Sequence, residues 1–316
     1  MKAFISLFCF ILITGTSLQA QQNSFKVIPL GVKGGSDESN LSSYMLAPQK
    51  SNNYICLDAG TLYSGIRKAI SNGVFHQPID TILRNNIRAY LISHGHLDHI
   101  AGMVLNSPDD SHKNIYGTSS TIEILKNKYF TWESWANFAD QGEKPTLNKY
   151  HYIILDTLQE TAIDHTDMYV TAFTLSHGNP YKSTAFLVRH DSAYILYLGD
   201  TGADEIEKSD KLQLLWQHIT PLIQAKKLKG IFIEVSFPNE QPDNQLFGHL
   251  TPKWLMTELN SLSELTGKNA LKNFPIAITH IKPIGTNERK IKQQLSASNN
   301  LQLKILYPKQ GILMKF

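Results

Sequence analysis

Ser93-His94-Gly95-His96-Leu97-Asp98-His99 puts three imidazoles and a carboxylate within six positions, directly after the apolar run Ala89-Tyr90-Leu91-Ile92. Packing gives few reasons to crowd such groups, and in a chain of this composition H-x-H-x-D-H should arise by chance about once in a thousand cases. His and carboxylate are the usual ligands of hydrolytic zinc, so the stretch reads as a metal site. Gly95 allows the backbone to fold tightly and aim alternate side chains at different points. One loop could then serve two metals.

Working outward, other apolar runs also stop at polar clusters, which is how strands ending in functional loops read. Met168 to Leu175 stops at Ser176-His177-Gly178. After a hairpin turn expected at His190-Asp191-Ser192, the run Tyr194 to Leu198 stops at Gly199-Asp200, and Ile276 to Thr279 stops at His280. Four strand ends thus carry His or Asp, where α/β sheets present their chemistry. Helix-like stretches follow from Ile100 onward, over Asp210 to Leu228, and over Pro252 to Leu265 behind the cap-like Thr251-Pro252 pair. Near the N-terminus, Phe25 to Val32, Tyr44 to Leu46 and Tyr54 to Leu57 succeed one another with no helix between them. The mixture predicts an α/β chain with two sheets covered by outer helices.

The 316 residues are 42% hydrophobic and 10% aromatic, enough to bury a full core, and no linker, charge block or repeat divides them. One domain is expected over 21–316. Before it, Lys2, the apolar run Ala3 to Ile13 and the ending Leu18-Gln19-Ala20 have the layout of a cleaved signal peptide over 1–20. That run is well short of the roughly 18 residues that cross a bilayer, so no stable membrane anchor is expected. Losing Lys2 lowers the formal charge from +3 to +2, too little to suggest a nucleic-acid or membrane-surface partner. Cys9 would leave with the leader. Cys56, in Tyr54-Ile55-Cys56-Leu57, remains alone and reads as a buried small hydrophobe.

His94-x-His96-x-Asp98-His99, with Asp58 in Asp58-Ala59-Gly60-Thr61, His177, Asp200 and His280, resembles the metallo-β-lactamase superfamily in order and spacing along nearly the whole mature chain. The resemblance implies an αββα sandwich of two mixed sheets flanked by helices. It implies two divalent metal ions, zinc in the first place with manganese or iron as alternatives. His94, His96 and His177 would hold the first metal, Asp98, His99 and His280 the second, and Asp200 would bridge them. Asp58 would support a ligand histidine from behind. Taken singly, His177 and His280 read equally well as ordinary polar histidines. Two metals sharing a water-derived bridge suit charge stabilisation on a phosphoryl group, so Asp98 counts among both ligands and catalytic groups.

Fold alone names no substrate. The run from His94 to Pro108, however, is similar at each defined position to the signature of the class II cyclic-nucleotide phosphodiesterases. So are Gly34-Gly35 through Asn40-Leu41-Ser42, Leu198 to Gly202, Ile233 to Phe237 and Phe247 to Pro252. The resemblance implies a small-molecule 3′,5′-cyclic nucleotide as substrate, cAMP opened to 5′-AMP, and, with the leader, a periplasmic enzyme. Similarity to tRNA 3′-processing endonucleases implies that Glu234 orients His249 as the acid for the leaving oxygen, the alternative being Glu234 capping amides and His249 lining the cleft. The aromatic segment Tyr129 to Phe138 could stack a base or simply pack. Lys282, just beyond His280, could meet the phosphate's charge, but a lone lysine reads first as solvated surface and is left out of the site. The competing functions are another exported hydrolase on this fold, lactonase or nuclease, and a binding protein without turnover.

Overall fold

The structure, a computed structural model, describes residues 24–267 and 269–316; the expected leader at 1–20 lies outside them. Two seven-stranded sheets form its centre. The first runs, edge to edge, Met314–Lys315, Phe25–Gly31, Ser43–Pro48, Tyr54–Ala59, Ile87–Leu91, Lys113–Gly117 and Tyr150–Ile154. The second runs Lys304–Leu306, Pro275–Thr279, Leu228–Glu234, Ala193–Leu198, Lys182–His190, Met168–Ser176 and Glu160–Ile163. Each is mixed, with three antiparallel and three parallel pairings.

Strand periodicity builds the layers. Phe25, Val27, Tyr44, Leu46, Ile55 and Leu57 face the second sheet and meet Phe186, Val188, Ile195 and Phe232 there. Their neighbours Ile28, Leu30, Met45, Ala47 and Cys56 face outward, onto a core that includes Ile66 and Ile100 of the helices Tyr63–Ser71 and Leu97–Asn106. Both faces are therefore apolar, so alternation sorts residues between two cores rather than between core and water. On the other side, the helices Lys211–Gln224, Pro252–Thr266 and Asn287–Ser298 bury Trp216, Leu259 and Leu295 against the second sheet. Each such side chain contributes about 1.5–3 kcal/mol. This is the expected order of helix, sheet, sheet, helix. No helix among the described residues is long and apolar enough to cross a membrane.

The hairpin turn falls where expected, with Ala193 paired to His190 and Asp191 at φ 50°. Thr251 caps the helix Pro252–Thr266 by accepting from Trp254 N at 3.4 Å. Two expectations need correction. Lys211–Gln224 ends before Leu228, which instead begins the strand Leu228–Glu234. The metal motif is also not one loop, because the helix Leu97–Asn106 starts inside it with His96 at its N-cap. His94 and His96 precede the helix, while Asp98 and His99 lie in its first turn, where a carboxylate complements the dipole. Gly95 is needed for room: a Cβ there would come within 2.5 Å of Ile124.

Candidate functional site

The strand-end groups converge at one end of the inter-sheet seam. Donor atoms of His94, His96, His177 and Asp200 lie within 4.8 Å of one another, as do those of Asp98, His99 and His280, and those of Asp200, His249 and His280. Asp200 Oδ2 is the common point. It lies 3.2 Å from His99 Nε2 and His280 Nε2, and 3.8 Å from His94 Nε2 and His177 Nε2. Asp98 Oδ2 lies 3.1 Å from His280 Nε2. His94, His99, His177, Asp200 and His280 are buried, Asp98 is half-buried and His96 is exposed.

What stands behind these rings fixes which nitrogen they present. Asp58, fully buried, accepts from Ser93 N at 2.7 Å, Ser93 Oγ at 2.8 Å, Tyr197 Oη at 2.7 Å and His99 Nδ1 at 2.7 Å. The Ser93 hydroxyl proton is thus engaged, so its oxygen accepts from His94 Nδ1 at 2.9 Å. His177 Nδ1 donates to Gly248 O at 2.8 Å. Ser236 Oγ donates to Glu234 Oε2 at 2.7 Å and accepts from His280 Nδ1 at 2.9 Å. In all four histidines Nδ1 is the nitrogen bonded from behind, which leaves Nε2 aimed at the centre. Among the described residues His94 Nε2 and His99 Nε2 are buried with no hydrogen-bond partner, and the 3.2 Å approach of His99 to Asp200 lacks hydrogen-bond alignment. Orphaned buried nitrogens are costly, and a cation would satisfy them. With hard carboxylate oxygens among them, the set fits divalent metal ions.

Burial and mutual charge set the protonation of the cluster. Burial, then the charge of His99, hold His94 well below the usual imidazole range, and burial lowers His177 to about 4. For His99 burial pulls the same way, but the carboxylates of Asp200, Asp58 and Asp98 outweigh it and raise the group. Asp200 stays well below the usual carboxylate range because His280 and His99 outweigh its burial.

Beside the cluster, His249 Nδ1 donates to Glu234 Oε1 at 2.7 Å, and both residues are buried. Glu234 also accepts from Thr201 N at 3.2 Å and Leu250 N at 3.4 Å. It therefore caps amides and holds His249 at the same time, which joins two readings the sequence left as alternatives. Burial lowers the His249 imidazole, but Glu234 raises it further, and the net direction is up.

Several supporting residues escaped sequence reasoning. Ser93 stands in the motif and Ser236 in the Ile233-Glu234-Val235-Ser236-Phe237 segment, so their places were visible though not their roles. Tyr197 reaches Asp58 across the seam and carries no local signal. Glu207 holds the His177 loop by accepting from Gly178 N at 2.9 Å and Asn179 N at 3.2 Å. Gly34 must lack a side chain because a Cβ would lie 2.3 Å from His280 Nδ1. In the aromatic segment, Phe130 is buried, Trp135 and Phe138 pack on the core, and Trp132 is exposed with its Nε1 donating to Pro145 O at 2.9 Å. Phe130, Trp135 and Phe138 thus pack the insertion onto the body. Tyr129 alone reaches the metal motif, through Oη to Gly95 O at 2.9 Å.

A family model described as cAMP phosphodiesterases class-II matches residues 23–311. A 3′,5′-cyclic-nucleotide phosphodiesterase of Aliivibrio fischeri is 39% identical over 315 residues, covering 95% of this chain and 95% of the relative. Among solved structures, unliganded yeast PDE1 superposes with a TM-score of 0.82 at 22% identity, covering 93% of this chain and 100% of that one. The metallo-β-lactamase fold protein YhfI from Bacillus subtilis superposes with a TM-score of 0.60 at 16% identity, covering 92% and 99%. The fold is therefore the metallo-β-lactamase fold.

Proposed function

Because the chain belongs to the class II cAMP phosphodiesterase family, we propose that it hydrolyses 3′,5′-cyclic nucleotides, opening cAMP to 5′-AMP. The observation that carries this reading is the Glu234–His249 pair set against a cluster of histidines and carboxylates centred on Asp200. His94, His96 and His177 would hold one divalent ion, Asp98, His99 and His280 a second, and Asp200 both, with zinc the expected metal. Bound there, the ions would supply Lewis acidity to the phosphoryl group and to the attacking water.

The protein's own part concerns geometry and the leaving group. Asp58 through Ser93, and Glu234 through Ser236, fix ring tautomers so that the ligand nitrogens are ready without rearrangement. A ribose alkoxide is strongly basic and departs slowly unless it is protonated. His249 is suited to protonate it, because its Nδ1 is committed to Glu234, which favours the imidazolium, and Nε2 is the nitrogen left to deliver a proton. His249→Ala should lower kcat on 3′,5′-cAMP by about 10²–10⁴. A nitrophenyl phosphodiester, whose leaving group departs unprotonated, should lose far less. Metal content should stay at the wild-type level, and equal loss on both substrates, or loss of metal, would refute the acid role.

The signal-peptide layout of residues 1–20 supports the reading that the protein is exported to the periplasm. Protein recovered from that fraction should begin near Gln21 on N-terminal sequencing, and full-length protein in the cytoplasm would contradict it.

A further inference from the structure

Lys282 lies two residues beyond His280, and its backbone is pinned by its own amide donating to Ser236 O at 3.3 Å and its carbonyl accepting from Ile284 N at 2.9 Å. Pro283 follows and limits the local backbone further. The side chain is half-buried rather than free in solvent. Nζ stands 5.6 Å from the centroid of the Phe237 ring, and that ring packs edge-on against His249 at 5.8 Å. On its other side is Gly35, whose amide donates to Asp98 Oδ2 at 2.9 Å. A Cβ on Gly35 would lie 3.9 Å from Lys282 Nζ and 4.0 Å from Asp98 Oδ2. The ammonium and the half-buried carboxylate thus both lie about 4 Å from the position a Gly35 side chain would take, beside the cluster.

The neighbours of Lys282 show what is unusual about it. Lys33 and Lys292 both pair with Glu288, and Lys290 pairs with Glu240. Lys282 takes part in no ion pair or side-chain hydrogen bond among the described residues. A half-buried cation beside a cluster suited to divalent cations is repelled, and no protein carboxylate is bonded to it in compensation. Its charge already acts on His249, where it opposes the effect of Glu234. The arrangement becomes favourable once an anion enters between the lysine and the cluster. The cation–π contact with Phe237 holds the ammonium in place meanwhile.

We propose that Lys282 binds the anionic phosphodiester of the substrate, and the phosphomonoester of the product, from the side of the site bordered by Gly35 and Phe237. This rests on the phosphodiesterase reading above. Lys282 is then a binding residue that touches a non-bridging phosphoryl oxygen, distinct from the metal ligands and from the His249 acid. An ammonium suits the position because it acts as a compact point charge.

The test uses the metal-loaded full chain, with Lys282→Met and Lys282→Arg. Lys282→Met should raise KM for 3′,5′-cAMP and lower kcat/KM by about 10- to 100-fold, while Lys282→Arg, which keeps the charge but not the compact shape, recovers only part of the loss. Affinity for 5′-AMP, measured calorimetrically without turnover, should weaken by a similar factor. Metal content and melting temperature should stay at wild-type values. A Lys282→Met enzyme with unchanged KM and unchanged 5′-AMP affinity would overturn the proposal and leave the phosphodiesterase reading intact, and so would loss of metal or of folding in both variants. A wild-type protein that binds 5′-AMP through Lys282 but opens no cyclic nucleotide would instead uphold the anion site and sink the functional reading.

Discussion

Asp58 and Glu234 occupy comparable places in the two sheets. Each ends or nearly ends an inner strand, each is fully buried, and each accepts from a histidine Nδ1 at 2.7 Å. Each also accepts from a serine hydroxyl that reaches a second histidine, Ser93 to His94 and Ser236 to His280. Their other partners differ. Asp58 takes its fourth bond from Tyr197 of the opposite sheet, and both histidines it serves aim Nε2 at the Asp200 cluster. Glu234 is fixed by the Thr201 and Leu250 amides, and only one of its two histidines, His280, approaches Asp200 through Nε2. On the proposed reading, the same carboxylate and serine device braces metal ligands on one side, and on the other braces a ligand and orients a proton donor. A supporting carboxylate alone does not mark a histidine as catalytic; the use left to its second nitrogen does.

The sharpest way to break the comparison is to neutralise each carboxylate in turn. Glu234→Gln should cut kcat on 3′,5′-cAMP by about 10²-fold with most metal retained, as read by steady-state kinetics with elemental analysis. Asp58→Asn should act the other way, weakening metal binding about 10- to 100-fold in a chelator competition while kcat at saturating metal stays near wild type. If both variants lose metal equally, the two carboxylates do one job. The smallest effect belongs to the seam bond: Tyr197→Phe removes a hydrogen bond to a charged group and should cost the metal-free protein about 1.5–3 kcal/mol in urea unfolding, with little change in kcat.

Most of this was legible where chemistry repeats along the chain. The runs ending at His94, His177, Asp200 and His280 are apolar on both faces, so their length and abrupt polar ends revealed strands and site together. Lys182–His190 went unassigned because the sequence showed only its turn, and Lys113–Gly117 because it begins with a lysine. That lysine is buried nonetheless, bonded to Asp110 at 2.8 Å and to the Leu83 and Ile87 carbonyls. The helix boundary near Leu228 was misplaced because an apolar residue continues either a helix face or a strand. Ser236 and Tyr197 were missed because hydroxyls become specific only through partners distant in sequence, and the 139 positions between Tyr197 and Asp58 leave no local trace.

The cluster draws on both layers: His94, His96, Asp98 and His99 follow a strand of the first sheet, and His177, Asp200 and His280 follow strands of the second. Elsewhere the layers meet largely through apolar side chains. A centre filled by metal would therefore clasp the two layers to each other. Occupancy should slow amide exchange at the ends of the strands Ile87–Leu91 and Ala193–Leu198 together, since neither can open without releasing the other. The protein's resistance to unfolding would then report how much metal its surroundings supply, making the catalytic centre also the fastening that tells a loaded enzyme from an empty one.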